Sequence, residues 1–382
     1  MKIGILTQQL RTNYGGLLQA YALQTVLEKE GHEVSVIRRE EPTAFSATNA
    51  AKAEFLAKYY IKKLLGKPNI PYVNRGQQNI IASKTNEFIN KYIKHTQKIY
   101  YSSSAMKKMH RTSGYDAYVV GSDQVWRPFY SPCIANYFLD FCKNDKRIKR
   151  ISYAASFGVD TWEFDKNQEA ECKELIKLFD AVSVREISGV DLCNKYLDSK
   201  AEHVVDPTML LGKENYIAIV KAEGETISEG DCFYYMLNIN PQKEDFISNI
   251  ENIKGLKAFT VMPKRTAENG TDGLKHNIDD YIYPAVTKWL RAYMDAKIIL
   301  TDSFHGCVFS IIFNKPFWVL GNSERGNARF DSLLKTFGLE ERLIDINDFS
   351  KEDLDKEIDW EKVNSILNTK KEEALNFIRK CL

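Results

Sequence analysis

Residues 301-TDSFHG-306 lie between two apolar runs, 297-KIILT-301 and 307-CVFSIIF-313. An imidazole titrates nearest neutrality, and where a strand gives way to a helix start it can offer a proton to a bound anion. His305 is therefore the first candidate acid–base group, with Ser303 at the same edge. Asp302 reads as the helix cap, the commonest role of aspartate at such a junction. His32, His95, His110, His203 and His276 have no comparable setting and read as structural or solvent-exposed.

Three further stretches carry polar groups where an apolar run ends. In 121-GSDQVWRP-128, Asp123 offers a carboxylate, and Trp126 beside Arg127 offers a flat face next to a cation. That pairing suits a sugar ring, or else Asp123 caps a helix and Trp126 is core. In 182-VSVREISG-189, Arg185 is either held by Glu186 or an aspartate, or it clamps a carboxylate or phosphate. In 12-TNYGGLLQA-20, Gly15 and Gly16 allow close backbone approach to a ligand at a helix start, or simply make a tight turn. The spacing is not GxGxxG, and Arg38 and Arg39 end the second strand where a dinucleotide enzyme shows an acid, so dinucleotide binding has little support. No metal-ligand spacing, Gly-x-Ser-x-Gly motif or Cys/His nucleophile signature occurs.

The elements that must position these groups follow from periodicity. The strand 2-KIGILT-7, a helical pattern from Leu17 to Gly31 and the strand 33-EVSVIRR-39 make a βαβ unit, hence a parallel sheet. Strand-like runs recur at 116-DAYVVG-121, 150-RISYAAS-156, 181-AVSVR-185 and 203-HVVD-206, then at 232-CFYYML-237, 257-KAFTV-261, 297-KIILT-301 and 317-FWVL-320. We expect one α/β domain over residues 1–210 and a second over 215–345. Residues 346–382 should form amphipathic helices that pack back on the first domain through Trp360, Val363, Ile366, Leu367, Leu375, Phe377 and Ile378. In open parallel sheets ligands bind beyond the carboxyl ends of the strands, where every stretch above falls.

Bulk composition narrows the function. Among 382 residues, 53 Lys and Arg oppose 51 Asp and Glu, a net charge of +2 that makes no case for nucleic acid. Seven scattered cysteines without a CxxC pair read as reduced thiols. No apolar run approaches the roughly 18–20 residues of a membrane helix, and the start is too short for a signal peptide, so a cytoplasmic location is expected. The lysine-rich stretch 51-AKAEFLAKYYIKKLLGK-67 reads either as a helix on the inner membrane face, giving peripheral membrane contact near lipid-linked substrate, or, more commonly, as a packed helix with a solvated lysine face.

Taken together, 13-NYGGLLQAYAL-23, 121-GSDQVW-126, 152-SYAASFG-158, 182-VSVRE-186, 205-VDPTMLL-211 and 298-IILTDSFHGCVFSIIFNKPF-317 resemble the polysaccharide pyruvyl transferases, over residues 1 to about 340. The resemblance implies a GT-B-like architecture, with two Rossmann-like domains facing a cleft. It also implies transfer of a pyruvyl group from phosphoenolpyruvate to two hydroxyls of one sugar residue, releasing phosphate and leaving a cyclic ketal, in capsule or exopolysaccharide synthesis. No cofactor or metal is expected; the partners are phosphoenolpyruvate and a sugar or lipid-linked oligosaccharide acceptor. By this likeness His305 is the acid and Asp123 orients or deprotonates a hydroxyl. Arg185, Ser303, Gly306, Arg325 and Arg329 bind the donor, and Asn13, Gly15, Gly16 and Trp126 bind the acceptor. The family pattern has an arginine two residues before the histidine. Here that place is Ser303, and a hydroxyl does not replace a guanidinium fork, so other cations must hold the donor. Two rival functions share the architecture: a nucleotide-sugar glycosyltransferase and a non-catalytic glycan-binding member.

Overall fold

Short β-branched runs closed by turn residues become parallel strands, and the longer segments between them become the helices that cover both sheet faces. A computed structural model describes residues 1–41, 53, 56, 57, 60, 61, 64, 75–266, 274, 276–321, 327–350 and 352–382. The first unit comprises β1 (Lys2–Leu6), α1 (Tyr14–Lys29), β2 (Glu33–Val36), α2 (Arg75–Ile81), α3 (Ser83–Tyr92), α4 (Ser103–Ser113), β3 (Ala117–Val120), β4 (Lys149–Ala155), α5 (Lys166–Ile176), β5 (Ala181–Val184), α6 (Ile187–Leu197) and β6 (Glu202–His203). The second comprises α7 (Lys213–Ala222), β7 (Cys232–Tyr235), α8 (Pro241–Lys254), β8 (Ala258–Phe259), α9 (Val286–Asp295), β9 (Ile298–Thr301), α10 (Phe304–Ile312), β10 (Phe317–Leu320), α11 (Ala328–Phe337) and β11 (Leu343–Ile344), and α12 (Trp360–Cys381) follows.

The first sheet runs β2-β1-β3-β4-β5-β6 and the second β11-β10-β9-β7-β8, with parallel pairing in both. Each sheet places its second strand on one side of its first and its third on the other. That reversal makes a crevice between β1 and β3 and another between β7 and β9. The expected strands all appear. β11 and the pair α2–α3 are additions that periodicity did not isolate, and the 51–67 stretch lies for the most part outside the described residues.

Tyr14 pins the two units together. Its hydroxyl lies 3.0 Å from the carbonyl oxygens of both Val261 and Pro284, and its ring stacks on Trp289 with centroids 5.7 Å apart. One buried cluster is continuous from Ile3 through Leu23 to Phe309 and Phe377. α12 returns to the first sheet: Phe377 meets the Tyr153 ring, Lys149 Nζ donates to the Cys381 carbonyl at 3.0 Å, and Arg379 pairs with Glu30 at 2.9 Å.

Candidate active site

The two crevices meet. Gln19 on α1 fixes the first: its Nε2 donates to Thr7 Oγ1 at 2.8 Å, its Oε1 accepts from Ser122 N at 3.0 Å, and Thr7 Oγ1 donates to the Ser122 carbonyl at 2.9 Å. Gly121 has φ +125°, and a Cβ there would fall 2.1 Å from the Tyr153 carbonyl oxygen, so only glycine lets the β3 loop pass this close to β4. Asp123 follows with φ +70°, a left-handed conformation that aspartate tolerates better than most residues.

Around this loop stands a buried charge cluster. The Arg185 guanidinium lies 3.1 Å from Asp206, 3.1 Å from Glu186 and 3.8 Å from Asp123, with the Phe304 ring stacked beneath at 4.2 Å. Asp206 Oδ1 accepts from Thr208 N and Oγ1 at 3.0 and 2.8 Å, and its Oδ2 accepts from Ser122 Oγ at 3.1 Å. Ser156 Oγ donates to Glu186 at 2.6 Å. His305 comes from the second unit: its ring lies against Gly15, and its Nε2 is 3.7 Å from Asp206 Oδ2, an ion-pair distance too long for a hydrogen bond. That nitrogen, Arg185 Nη2 and Glu186 Oε2 are buried without a hydrogen bond.

Burial alone would raise the Asp206 carboxyl, but His305, Arg185 and the Thr208 amide outweigh it and hold it well below the usual carboxylate range. Burial likewise would lower Arg185; Glu186, Asp206 and Asp123 raise it instead. Three carboxylates against one guanidinium leave the cluster net negative even when His305 is protonated. Such a site attracts developing positive charge and repels a phosphate.

This geometry corrects several expectations. Arg185 is the ion-paired arginine and not an open clamp, since its side chain is 1% exposed and three carboxylates already compensate it. Trp126 is core: it is fully buried, stacks on Phe138 at 4.9 Å and donates from Nε1 to the Tyr137 carbonyl at 3.0 Å, so no ring face is left for a sugar. Asp302 does not cap α10; it pairs with Lys243 at 2.7 Å and accepts from the amides of Leu237 and Asn238, tying the ends of β7 and β9. The N-cap position belongs to Ser303, whose side chain makes no cap bond and leaves the first amides of α10 open.

Gly306 is required because a Cβ would strike Thr301 Oγ1 at 2.1 Å. Asn13 caps α1 by accepting from Gly16 N at 3.1 Å, so both are accounted for by the turn, while Gly15 is where His305 rests. Arg329 is half-buried in the first turn of α11, near enough for its charge to act on Cys307. Arg325 lies outside the described residues. Sequence reasoning names Glu186 only as a partner for Arg185 and gives Asp206 and Ser122 no site role. The signal was there in 205-VDPTMLL-211, where an aspartate ends a strand at the same edge as the other motifs. Among the described residues, no group of three His, Cys, Asp or Glu side chains could hold a metal, and no helix is long and apolar enough to cross a membrane.

Two doubly wound parallel units facing one another define the GT-B fold. Arabidopsis thaliana UGT89C1 complexed with UDP-L-rhamnose superposes with a TM-score of 0.52 at 8% identity, covering 100% of this chain and 99% of that one. UDP-GlcNAc 2-epimerases from Methanocaldococcus jannaschii and Neisseria meningitidis each give a TM-score of 0.48, at 14% and 11% identity, covering at least 99% of both chains. No curated protein is significantly similar in sequence. The chain belongs to the polysaccharide pyruvyl transferase family, which it matches over residues 13–324, and it is a transferase.

Proposed function

We propose that the protein transfers the pyruvyl group of phosphoenolpyruvate to two hydroxyls of one sugar residue, in the synthesis of a capsule or exopolysaccharide. The observation that carries this reading is His305 Nε2, buried, free of hydrogen bonds and 3.7 Å from the Asp206 carboxylate at the meeting point of both crevices. His305 stands beside the Asp206 carboxylate with its Nε2 unpartnered, so it is the group we assign to deliver the proton that the enol must accept.

His305 protonates the methylene carbon, and the pyruvyl C2 becomes oxocarbenium-like. One sugar hydroxyl then attacks C2, the C2–O bond to phosphate breaks, and the second hydroxyl closes the ketal. Of the two hydroxyl protons, one replaces the proton His305 gave and the other leaves with phosphate. The negative cluster of Asp123, Glu186 and Asp206 stabilises the cationic carbon. The open amides at the start of α10, Ser303 and Arg329 hold the donor phosphate and carboxylate. Asp123, at the rim of the cluster, takes the hydroxyl proton.

Phosphate release from phosphoenolpyruvate in the presence of lipid-linked sugar acceptors tests the proposal. His305→Ala should lower it by about 10²–10⁴-fold with the circular dichroism unchanged. Unaltered turnover removes His305 as the acid. A melting-temperature rise with a UDP-sugar and none with phosphoenolpyruvate would assign a different donor.

A further inference from the structure

We infer that the cleft between the β1–α1 loop and the helices α2 and α3 is a glycan subsite that holds the acceptor chain by its neutral hydroxyls. It rests on the reading of the protein as a transferase acting on a sugar. The cleft measures about 550 Å³ and opens at the carboxyl edge of β1 and β2. That volume falls within the roughly 300–1,000 Å³ of small-molecule sites.

Carboxamides dominate its polar wall: Gln9 from the β1 loop, Gln78 and Asn79 from α2, Asn86 and Asn90 from α3. Gln9 Nε2 donates to Glu40 at 2.6 Å, and Glu40 also pairs with Arg38 at 2.9 Å, which occupies the two charged groups nearby. The side chains of Gln78, Asn79, Asn86 and Asn90 make no hydrogen bond to any described residue, and Arg11 is the cleft's one cation without an ion pair among them.

α3 presents three chemically distinct sides. Its buried side carries Thr85, Phe88 and Ile89. A second side carries Lys84, Glu87 and Lys91, with Lys84 paired to Glu87 at 3.0 Å and Lys91 to Glu223 at 2.5 Å. The third side, turned to the cleft, has Asn86 and Asn90 four residues apart on the same stripe. Asparagine is a poor helix former, so local helix stability does not account for the pair.

A carboxamide presents donors and an acceptor together, and a sugar hydroxyl does the same, so each such group can bind a diol edge in both senses. A polyanion does not fit a wall with one unpaired guanidinium, and an apolar ligand would leave the amides unpaired. The place also fits: Thr12 lines the cleft, and three residues further on Gly15 touches His305, a span of at most about 10 Å. A sugar chain in the cleft would thus lead its end residue to the charge cluster.

The test is retention of the full-length protein on an array of neutral and acidic oligosaccharides from bacterial surface polysaccharides, with phosphoenolpyruvate omitted. Wild type should retain at least one neutral glycan; the double variant Asn86→Ala/Asn90→Ala should retain it about tenfold or more weakly. Lys84→Ala, on the charged side of α3, should bind as wild type does. Retention of no neutral glycan, or equal retention by the double variant, overturns the assignment. Because the array omits the donor, it tests the subsite alone; a retained glycan that then supports no phosphate release in a separate assay with phosphoenolpyruvate added would refute the pyruvyl-transfer reading and leave the subsite standing.

Discussion

Gly15→Ala is the sharpest perturbation the structure offers, because it adds one methyl group at the contact between the two units. A Cβ at Gly15 would stand 2.1 Å from His305 Cγ and Nδ1 and 2.6 Å from its Cβ, against the 3.4 Å at which ordinary van der Waals contact begins. The imidazole must therefore move by at least about 1.3 Å. A displacement of that order costs about 10²-fold in rate when the moved group is catalytic, or about 2.7 kcal/mol of transition-state stabilisation. Folding should suffer less. Gly15 has an ordinary helical conformation in α1, where alanine is favoured by about 0.5–1 kcal/mol, which offsets part of the roughly 1–3 kcal/mol of overpacking. Gly16→Ala provides the scale, since its Cβ meets nothing nearer than Asn13 Cγ at 3.2 Å. The assay is phosphate release from phosphoenolpyruvate, with melting temperatures measured alongside. Turnover within about twofold of wild type in Gly15→Ala, with the protein folded, would refute the placement of the reaction at His305.

Other groups give independent tests. Asp206→Asn should destabilise by about 1–3 kcal/mol at neutral pH, since it removes a charged partner of Arg185 and His305 while Glu186 and Asp123 still compensate the guanidinium. Because the Asp206 pKa is depressed in the folded state, its contribution is present above the ordinary carboxylate range and lost as pH falls through the folded value; the gap between wild type and variant should shrink in urea titrations below about pH 4 and stay constant above it. Lys243→Met should cost about 3–5 kcal/mol by denaturant unfolding, for it strands the buried Asp302 carboxylate. Burial pushes the thiols of Cys193 and Cys232 up to about 12 and that of Cys142 up to about 11, and Cys172 and Cys307 are raised further, so iodoacetamide at pH 8 should label Cys133 and Cys381 alone in the native protein, as read by peptide mass spectrometry.

The architecture was legible because its signals are short and repeated. A run such as 298-IILT-301 has only one stable place, the middle of a parallel sheet, and β9 occupies it with every residue buried. β11, two residues long, has no periodicity to read. Site residues were legible as positions but not as partners. Trp126 and Arg185 stand at strand ends in the sequence, yet whether such a side chain faces solvent depends on chain far away: Phe138 and Tyr137 cover the tryptophan, and Asp206 takes the arginine. Asp206 itself is separated from His305 by a whole domain's worth of chain, and no local pattern announces a contact that only the meeting of two sheets creates.

The burial of His305 also fixes an order of events in time. At 6% exposure, with Gly15 on one side and Asp206 on the other, the imidazole offers a donor almost no surface while the two units stay as they are. Parting the two units would widen that approach, and it would break the Tyr14 hydroxyl bonds to Val261 and Pro284. At high donor concentration the observed rate of association should level off at the rate of that parting, and shortening the Tyr14 side chain should raise the plateau.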